Sequence, residues 1–472
     1  MVRHRRWLVV LGLWLAPAVF MWRAAPTSIV LIHTNDLHGQ VSPRDGHGGL
    51  SRLATVVRRF HPDLLLDGGD MFSGSMASDL FFGKPVVAVM NELGYRAVVV
   101  GNHEFDHGLP ELRLRLREAE FPFLSANVTG VDGVRPYTVV TAHGVRVGVV
   151  GVTEEDLREG TDPKNLAGVE VSDSLEAVRK VLPDLEARSD FIVALAHTSL
   201  DGQKRLARAF PQIHLIVAGD PHAVRSTRVG NTLLVEAGSR AQYVGKVTIR
   251  LSGRQFQSAT SEMIQVGDVP PDAAVAAIIA PYESAVAQMA ARKLTETPVD
   301  LQGTSEAESP LYNLVTDAMR EAAQTQIVLF NVGAVRARLR RGPITFGAAS
   351  SVLPFDDTLV TMRLTGRQLK RVLSRSVLAV SGLRVAWDLT APVEGRLTRV
   401  TLSSGEPLDD ATEYSVAVND FMAGGGDGLV EFTQAAGRED THLKTLDAFV
   451  RYLESHPVIT GKPDGRVTIR TR

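Results

Sequence analysis

The most regular feature of the sequence is a hydrophobic run that ends abruptly in polar residues. Such runs recur between Ser28 and about Val266, and we recognise SIVLIHTNDLHG, DLLLDGGD, AVVVGNHEFD, FIVALAHTS and HLIVAGDPHA. Uninterrupted aliphatic runs are typical of strands that are buried on both faces of a parallel sheet. Helical stretches separate the runs, so residues 28–266 predict a layered α/β domain.

The rest of the sequence predicts a linker and a second, smaller α/β domain. Residues 267–299 begin with prolines and continue as an alanine-rich stretch, which we interpret as a linker helix. Residues 300–472 return to mixed strands and helices, and a chain of 472 residues is longer than one hydrophobic core usually supports. In this second domain, one face of a predicted helix carries Leu311, Leu314, Val315, Ala318 and Met319.

The N-terminus has the layout of a secretory signal. A basic start, MVRHRR, precedes the apolar run WLVVLGLWLAPAVFMW. We predict that residues 1–25 are a signal peptide or a retained N-terminal anchor, and that the protein is exported to the periplasm or the extracellular space. Only a retained anchor would attach it to a membrane, since we expect no later segment to span a bilayer.

Composition excludes some classes of function. The formal net charge is −2, so no polyanion-binding surface is indicated and we expect no nucleic acid polymer as a partner. The chain has no cysteine, which excludes a disulfide framework and a cysteine-linked lipid anchor. We therefore expect a small-molecule partner that is bound by a local site.

Metal-capable side chains follow each of the hydrophobic runs. Groups at the carboxyl ends of strands in an α/β sheet meet in one crevice, so we expect them to converge. Carboxylate, imidazole and amide ligands suit Mn²⁺, Zn²⁺, Mg²⁺ or Fe. We predict two divalent metal ions, with Asp70 bridging them, bound by Asp36, His38, Asp70, Asn102, His197, Asp220 and His222. Taken singly, each Asp is also a candidate helix cap or turn residue, and each His a structural residue.

The run VVVGNHEFDHG adds a candidate proton-transfer pair. If Asn102 binds metal, His103 is free to face a substrate, and Asp106 lies three residues further along the chain. In a helical turn this spacing lets the Asp106 carboxylate accept the ring N–H of His103, which favours the charged imidazole. A charged imidazole can stabilise phosphoryl oxygens or protonate a leaving group. The alternative is that His103 is a further metal ligand and Asp106 a cap.

Two sets of motifs resemble those of the 5'-nucleotidase family: LIHTNDLHG, GGLSRLAT, LDGGD and GNHEFDHG, and then ESPLYNLVTDAMR, NVGAVR, VLPFDDTLV and NDFMAGGGDG. The resemblance implies a four-layer α/β/β/α calcineurin-like metallophosphoesterase domain and a smaller substrate-binding domain. It implies an exported hydrolase that cleaves 5'-nucleotides or related phosphate esters by attack of a metal-bridging hydroxide, assisted by a His103–Asp106 dyad. It also implies that Arg336 contacts phosphate, that Phe421 stacks on the base, and that Asp427 lies near the sugar or base.

Several positions depart from that family's pattern. Asp220 stands where the family usually has a histidine, and NVGAVR replaces NGGGIR. We place the second aromatic residue of the base clamp at Val377, and Ala348 stands where an asparagine is usual. These departures leave alternatives open: a 2',3'-cyclic nucleotide phosphodiesterase, a UDP-sugar hydrolase or a sulfur-ester hydrolase of the same fold, or a catalytically weakened binding protein.

Overall fold

The computed structural model describes residues 26–471 except residues 45, 158–160, 162, 305 and 356. The predicted signal or anchor, residues 1–25, lies outside the described residues. The chain divides into two compact units, one formed by the described residues up to Ser73 with Val86–Val275, and the other by Gly74–Pro85 with the described residues from Ala276 onward. The sequence did not indicate that Gly74–Pro85 would join the second unit.

The segment up to Gln265 alternates strands with helices, as the hydrophobic runs predict. Its strands are β1 (Pro26–Thr34), β2 (Leu64–Asp67), β3 (Ala97–Val99), β4 (Phe123–Leu124), β5 (Val128–Thr129), β6 (Tyr137–Ala142), β7 (Val145–Thr153), β8 (Glu170–Val171), β9 (Phe191–His197), β10 (Leu215–Gly219), β11 (Val224–Val229), β12 (Thr232–Ala237), β13 (Tyr243–Ser252) and β14 (Gln255–Gln265). Its helices are α1 (Leu50–Arg59), α2 (Met76–Asp79), α3 (Lys84–Leu93), α4 (Gly108–Glu118), α5 (Ser174–Arg188) and α6 (Leu200–Ala209).

Within the described residues, the first unit is built on two six-stranded sheets. Their strand orders are β14-β13-β1-β2-β3-β4 and β11-β12-β10-β9-β7-β6. In the first sheet β1, β2, β3 and β4 run parallel, and in the second β7, β9, β10 and β12 do. The parallel strands carry the predicted hydrophobic runs, so their carboxyl ends bring the following polar residues to one edge of each sheet.

Burial of alternate strand side chains explains the layers. Residues from both sheets, such as Leu31, Val99 and Val193, form one buried cluster between them. On the other face of the second sheet, Ile192 and Ile216 join a separate cluster with residues of α5 and α6. Helix α1 contacts strand β13 of the first sheet. The result is the predicted order of helix, sheet, sheet and helix.

The linker helix, α7 (Ala273–Ala291), is the described helix that is long and apolar enough to cross a bilayer by length and composition. This result corrects the expectation that no segment after the N-terminal run would pass that test. Of its residues only Val275 and Ile279 are buried, and Pro281 lies inside it. Length and composition alone do not assign a membrane role to the helix.

The second unit is a smaller α/β assembly. Its strands are β15 (Lys293–Thr297), β16 (Ile327–Asn331), β17 (Gly342–Thr345), β18 (Thr358–Thr365), β19 (Leu378–Ser381), β20 (Leu383–Asp388), β21 (Leu397–Leu402), β22 (Glu413–Asn419), β23 (Ala436–Lys444) and β24 (Val467–Arg470). Its helices are α8 (Pro310–Ala323), α9 (Phe346–Val352), α10 (Gly366–Arg375), α11 (Asp420–Ala423) and α12 (Thr445–Ser455). The main sheet has the order β19-β16-β22-β18-β23.

Strand β16 shows how this sheet is covered on both faces. Val328 and Phe330 pack with α8 and α12 in one buried cluster, whereas Ile327 and Leu329 pack with α10 and β20 in another. Successive strand residues point to opposite faces, so a continuous apolar run requires cover on both sides. The apolar face predicted for α8 is confirmed, since all of its five residues are buried.

His33 is an unusual residue inside the first sheet. It lies on β1 opposite Gly245, it is fully buried, and neither ring nitrogen has a hydrogen-bond partner. Gly245 makes room for the ring, because a Cβ there would lie 1.9 Å from His33 Nε2. Burial lowers the pKa of His33 to about 3. The folded chain therefore holds this imidazole neutral in mildly acidic solution, where an exposed histidine is charged.

We predict that His33 makes the folded chain sensitive to acid. Because the folded pKa lies below the unfolded value, its contribution to stability is complete above pH about 6.5 and falls as the pH drops from there toward 3. Between pH 7.5 and 5 this group alone removes about 2 kcal/mol from the free energy of unfolding. His33→Phe should remove that loss, measured by chemical denaturation at the two pH values.

The matched control is His47→Phe at an exposed position. The control and the unmodified chain should lose the same stability on acidification, because the other titrating groups are common to both. Equal pH dependence for His33→Phe and the unmodified chain would contradict the prediction.

Candidate metal centre

The predicted ligands lie in the loops that follow the parallel strands of the first unit. Asp36 follows β1, Asp70 follows β2, and His197 is the last residue of β9. The loops after β1 and β2 are joined by main-chain hydrogen bonds, from Asp36 N to Gly69 O at 2.9 Å and from His38 N to Asp70 O at 3.0 Å. The β1–β2 pairing thus extends beyond the strands and brings their side chains together.

Left-handed backbone conformations turn these side chains inward. The φ angles of Asp36, His38, Asp70 and His222 are 50°, 44°, 55° and 57°. Residues with a side chain rarely adopt this region, although Asp and His do so more readily than most. Strained backbone of this kind persists only where the surrounding structure holds it in place, and it is most common at functional sites.

Three overlapping groups of side chains converge at this point. Within each group the candidate donor atoms lie within 4.8 Å of one another. The groups are Asp36, His38 and His222; His38, Asp70 and His103; and Asp36, Asp70 and His197. Because each pair of groups shares at least one residue, they form one continuous cluster of oxygen and nitrogen donors.

Main-chain carbonyls orient two of the imidazoles. His197 Nδ1 donates to Gly68 O at 2.9 Å, and His38 Nδ1 donates to Ser73 O at 3.1 Å. Each ring therefore presents its Nε2 atom to the cluster. His197 Nε2 lies 3.2 Å from Asp70 Oδ2, and His38 Nε2 lies 2.8 Å from His222 Nε2. A carbonyl on the far ring nitrogen is the usual support of a metal-binding histidine.

The charges of the cluster also fit a cation. Burial alone would raise the pKa of Asp70, but the facing His197 imidazole outweighs it and holds that pKa well below its usual range. The same carboxylate raises the pKa of the buried His197 against the effect of burial. Burial lowers the pKa of His38 to about 4, which leaves its Nε2 lone pair available. Buried carboxylates together with a neutral imidazole such as that of His38 suit Mn²⁺, Zn²⁺, Mg²⁺ or Fe.

One predicted ligand, Asp220, is not brought into these groups, and Asn102 carries an amide, which is a donor type that the groups do not include. The Asp220 backbone N–H donates to Asp36 Oδ1 at 3.1 Å, but the Asp220 carboxylate belongs to none of the three groups. Burial raises the pKa of Asp220, and the negative charge of Glu154 adds to this rise. Asn102 opens the turn after β3, and its backbone oxygen accepts from Thr161 Oγ1 at 3.2 Å. Metal binding by Asp220 and Asn102, as by the other predicted ligands, stays a prediction.

His103 and Asp106 have the geometry expected of a proton-transfer pair. His103 begins a single 3₁₀ turn, His103–Phe105, and Asp106 follows it, so that His103 Nδ1 donates to Asp106 Oδ2 at 2.6 Å. Burial lowers the pKa of His103, but the Asp106 hydrogen bond and the Asp70 charge outweigh it and raise the pKa to about 9. His103 Nε2 lies 4.0 Å from Asp70 Oδ2, so the charged ring borders the donor cluster.

Glu104, between these two residues, was given no role from the sequence. Its buried carboxylate accepts three backbone N–H groups, from Asp70 at 3.0 Å, Met71 at 2.7 Å and Gly101 at 2.7 Å. It therefore fastens the loop after β2 to the loop after β3. The sequence signal that could have indicated this role is the presence of a glutamate inside a motif of metal-capable residues. Its partners could not be predicted, because they are main-chain groups that have no sequence signature.

The second unit contains a separate aromatic pocket of about 300 Å³. Its lining includes Phe355, Phe421 and Asp427, together with Asn331, Gly333, Ala334 and Asp357. Both phenylalanines are about half exposed, which is unusual for large apolar side chains in a folded domain. Gly426 lies against Phe421, since a Cβ there would approach the ring to 2.4 Å.

The pocket corrects one sequence-based assignment. Val377 is not among its lining residues and instead packs against a buried cluster of the same unit. Phe355, from the motif VLPF, lines the pocket with Phe421. Arg336 lines a different cavity, where Nη1 donates to Gly333 O at 3.3 Å. The expectation of a missing second aromatic ring therefore does not hold.

Comparison with known families agrees with both units. The profile described as calcineurin-like phosphoesterase matches residues 29–224. The profile described as the C-terminal domain of 5'-nucleotidase matches residues 285–436. The two matches follow one another along the chain in the order that the motifs indicated.

Individual proteins match over most of the chain. The crystal structure of a 5'-nucleotidase precursor from Thermus thermophilus has 31% sequence identity and a TM-score of 0.64, covering 94% of this chain and 100% of that chain. The 5'-nucleotidase of Homo sapiens is 27% identical over 98% of this chain and 94% of its own length. Endonuclease YhcR of Bacillus subtilis is 26% identical over 93% of this chain, which spans 41% of that protein.

We predict that Glu104→Gln weakens metal binding without unfolding the chain. The amide replaces one acceptor oxygen by an N–H₂ group, which must face a backbone N–H and loosens the loops that carry Asp70 and Asn102. Loss of such a supporting contact typically lowers metal affinity by about ten- to a hundredfold. Isothermal titration calorimetry of the metal-free chain with Mn²⁺ measures the change in affinity.

Glu111→Gln on helix α4 is the matched control, because it removes a carboxylate that no described hydrogen bond uses to hold these loops. Its affinity for Mn²⁺ should equal that of the unmodified chain. Unchanged Mn²⁺ affinity in Glu104→Gln would show that the three N–H contacts do not shape the site.

Proposed function

The chain belongs to the 5'-nucleotidase family and is a metal-dependent hydrolase of phosphoric esters, and from this premise we propose that its substrates are 5'-nucleotides. One observation carries the proposal: the same chain combines a converging donor cluster bordered by a charged His103 with a pocket lined by two half-exposed phenylalanines. The first suits a phosphoryl group and the second suits a planar base.

Asp36, His38, Asp70, His197 and His222 would hold the divalent ions, which we propose are two in number because Asp36, His38 and Asp70 are each shared between groups. When bound, such ions polarise phosphoryl oxygens and acidify water. Asn102 and Asp220 complete the proposed ligand set. The carbonyls of Gly68 and Ser73 keep the His197 and His38 rings in the orientation that binding requires.

His103 would act on the leaving group. Its Nδ1 proton is held by Asp106, so the proton on Nε2 is the one directed at the substrate. A raised pKa keeps that proton in place at neutral pH, and the positive charge stabilises the phosphoryl oxygens as the ester bond breaks. Asp106 acts by orienting the ring and by favouring its charged form.

The aromatic pocket would bind the nucleoside. Phe355 and Phe421 offer two ring faces, and stacking of a base on aromatic side chains contributes about 1–3 kcal/mol for each base. Asp427, at φ 55° in the same pocket, offers a carboxylate to sugar hydroxyls. We further propose export, because the basic start and apolar run of residues 1–25 have the layout of a secretory signal.

The direct test is a panel of phosphate esters given to the purified chain with Mn²⁺ and then with a chelator. We expect hydrolysis of AMP, with release of inorganic phosphate, that the chelator abolishes. The panel includes 2',3'-cyclic AMP, a UDP-sugar and a sulfur-linked ester, which are the alternatives left open by the sequence. Faster hydrolysis of any of these than of AMP would replace the proposed substrate.

We predict that His103→Ala lowers the turnover number for AMP by at least about a hundredfold, because it removes a proton donor and a positive charge. Metal content, measured by elemental analysis, should be unchanged. The chain offers a matched control in His143, whose Nε2 also lies 2.6 Å from a carboxylate, that of Asp63, at the surface. His143→Ala should retain full turnover, and equal activity of the two variants would exclude the proposed role of His103.

We predict that Phe355→Ala weakens adenosine binding about tenfold, because one of two stacking faces is lost. Equilibrium dialysis with the full chain measures the dissociation constant. Val377→Ala is the control, since Val377 does not line the pocket. If Val377→Ala weakens binding and Phe355→Ala does not, the pocket described above is not the nucleoside site.

A further inference from the structure

A cation stands beside the donor cluster without a described anionic partner. Arg240 follows β12 in the first unit, and its guanidinium is close enough to the His38 and His222 imidazoles to lower the pKa of both. Within the described part of the chain, the Arg240 guanidinium makes no hydrogen bond and no ion pair with another side chain. It therefore differs from Arg146 or Arg466, each of which pairs with an aspartate at 2.7 Å.

The backbone holds Arg240 in this place at a cost in strain. Arg240 and Ala241 both have a φ of 56°, so two consecutive residues with side chains occupy the left-handed region. The Arg240 backbone N–H donates to Asp36 O at 2.7 Å, which ties the residue to a predicted metal ligand. Gly48 allows the turn to approach, because a Cβ there would lie 2.5 Å from Arg240 O.

The surroundings of Arg240 disfavour its positively charged form. Burial lowers the pKa of Arg240, and the nearby positive charge of Arg44 lowers it further. A half-buried guanidinium loses hydration, and neighbouring positive charges oppose it, unless an anion compensates both effects. The strained backbone and the uncompensated charge together indicate that a ligand, rather than another side chain, is the partner.

We propose that Arg240 is a phosphate-binding residue of the metal centre. Its planar guanidinium binds oxygens of the substrate phosphoryl group, and it holds the inorganic phosphate product, through paired N–H donors. The inference rests on the proposed function for the presence of a phosphoryl group at this site. It adds a phosphate contact within the first unit to the one that the family resemblance implies for Arg336 in the second.

The test uses the full chain loaded with Mn²⁺ and inorganic phosphate as the probe. Arg240→Gln should weaken phosphate binding, measured by isothermal titration calorimetry, by about tenfold, since a charged hydrogen-bonding partner is lost. Arg240→Lys keeps the charge but not the fork, so we expect a smaller loss of about threefold. Both variants should bind Mn²⁺ as the unmodified chain does, which separates loss of phosphate binding from loss of metal.

Arg250→Gln is the matched control, because it removes an exposed positive charge from strand β13 of the same unit. It should bind phosphate with unchanged affinity. An equal loss in Arg250→Gln, or full affinity in Arg240→Gln, would overturn the proposal. If Arg240→Gln fails to fold, the Arg240→Lys variant decides. A folded Arg240→Lys that binds phosphate as tightly as the unmodified chain would exclude phosphate binding through paired N–H donors.

The calorimetric result is separable from the proposed function. A chain that binds phosphate through Arg240 but does not hydrolyse AMP would retain this inference and refute the nucleotidase proposal. A chain that hydrolyses AMP but whose phosphate affinity does not depend on Arg240 would support the nucleotidase proposal and overturn this inference. Absence of any phosphate binding by the metal-loaded, unmodified chain would overturn the inference.

Discussion

The contact between the buried Asp70 carboxylate and the His197 imidazole is the constraint around which the first unit is organised. It places a negative charge and a nitrogen donor 3.2 Å apart in a buried site, where isolated charges are very costly. The loops around it supply further hydrogen bonds: the Gly68 carbonyl accepts from the His197 imidazole, and the Glu104 carboxylate accepts from the Asp70 backbone N–H. A divalent ion bound by these donors would lower the same cost.

Much of the fold and part of the site could be predicted from the sequence, for a physical reason. Strands buried on both faces must be continuous apolar runs, so a metal-capable residue such as Asp36 or His197 is conspicuous where the run stops. The His103–Asp106 contact could be predicted because it is local. Glu104 escaped prediction because its partners are main-chain N–H groups from two loops that are distant in sequence.

The other errors have a common origin in three-dimensional context. Val377 was assigned to the pocket by its position along the chain, whereas the end of the VLPF motif brings Phe355 there. Arg240 is the last residue of TLLVEAGSR, another apolar run that ends in polar residues, but this run was not grouped with the metal-capable ones. The hydrophobic pattern does not predict which side chains line a pocket or whether a charged side chain has a partner. Both depend on which residues lie nearby in three dimensions.

The left-handed conformations of Asp36, His38, Asp70 and His222 affect how mutational data on this centre should be read. Alanine at such a position carries a conformational penalty of about 1 kcal/mol per residue in addition to the missing ligand. Alanine scanning would therefore overstate the contribution of these side chains to coordination. Glycine and asparagine tolerate the same backbone, so comparing the three replacements at one site separates the chemistry of the ligand from the shape of the loop.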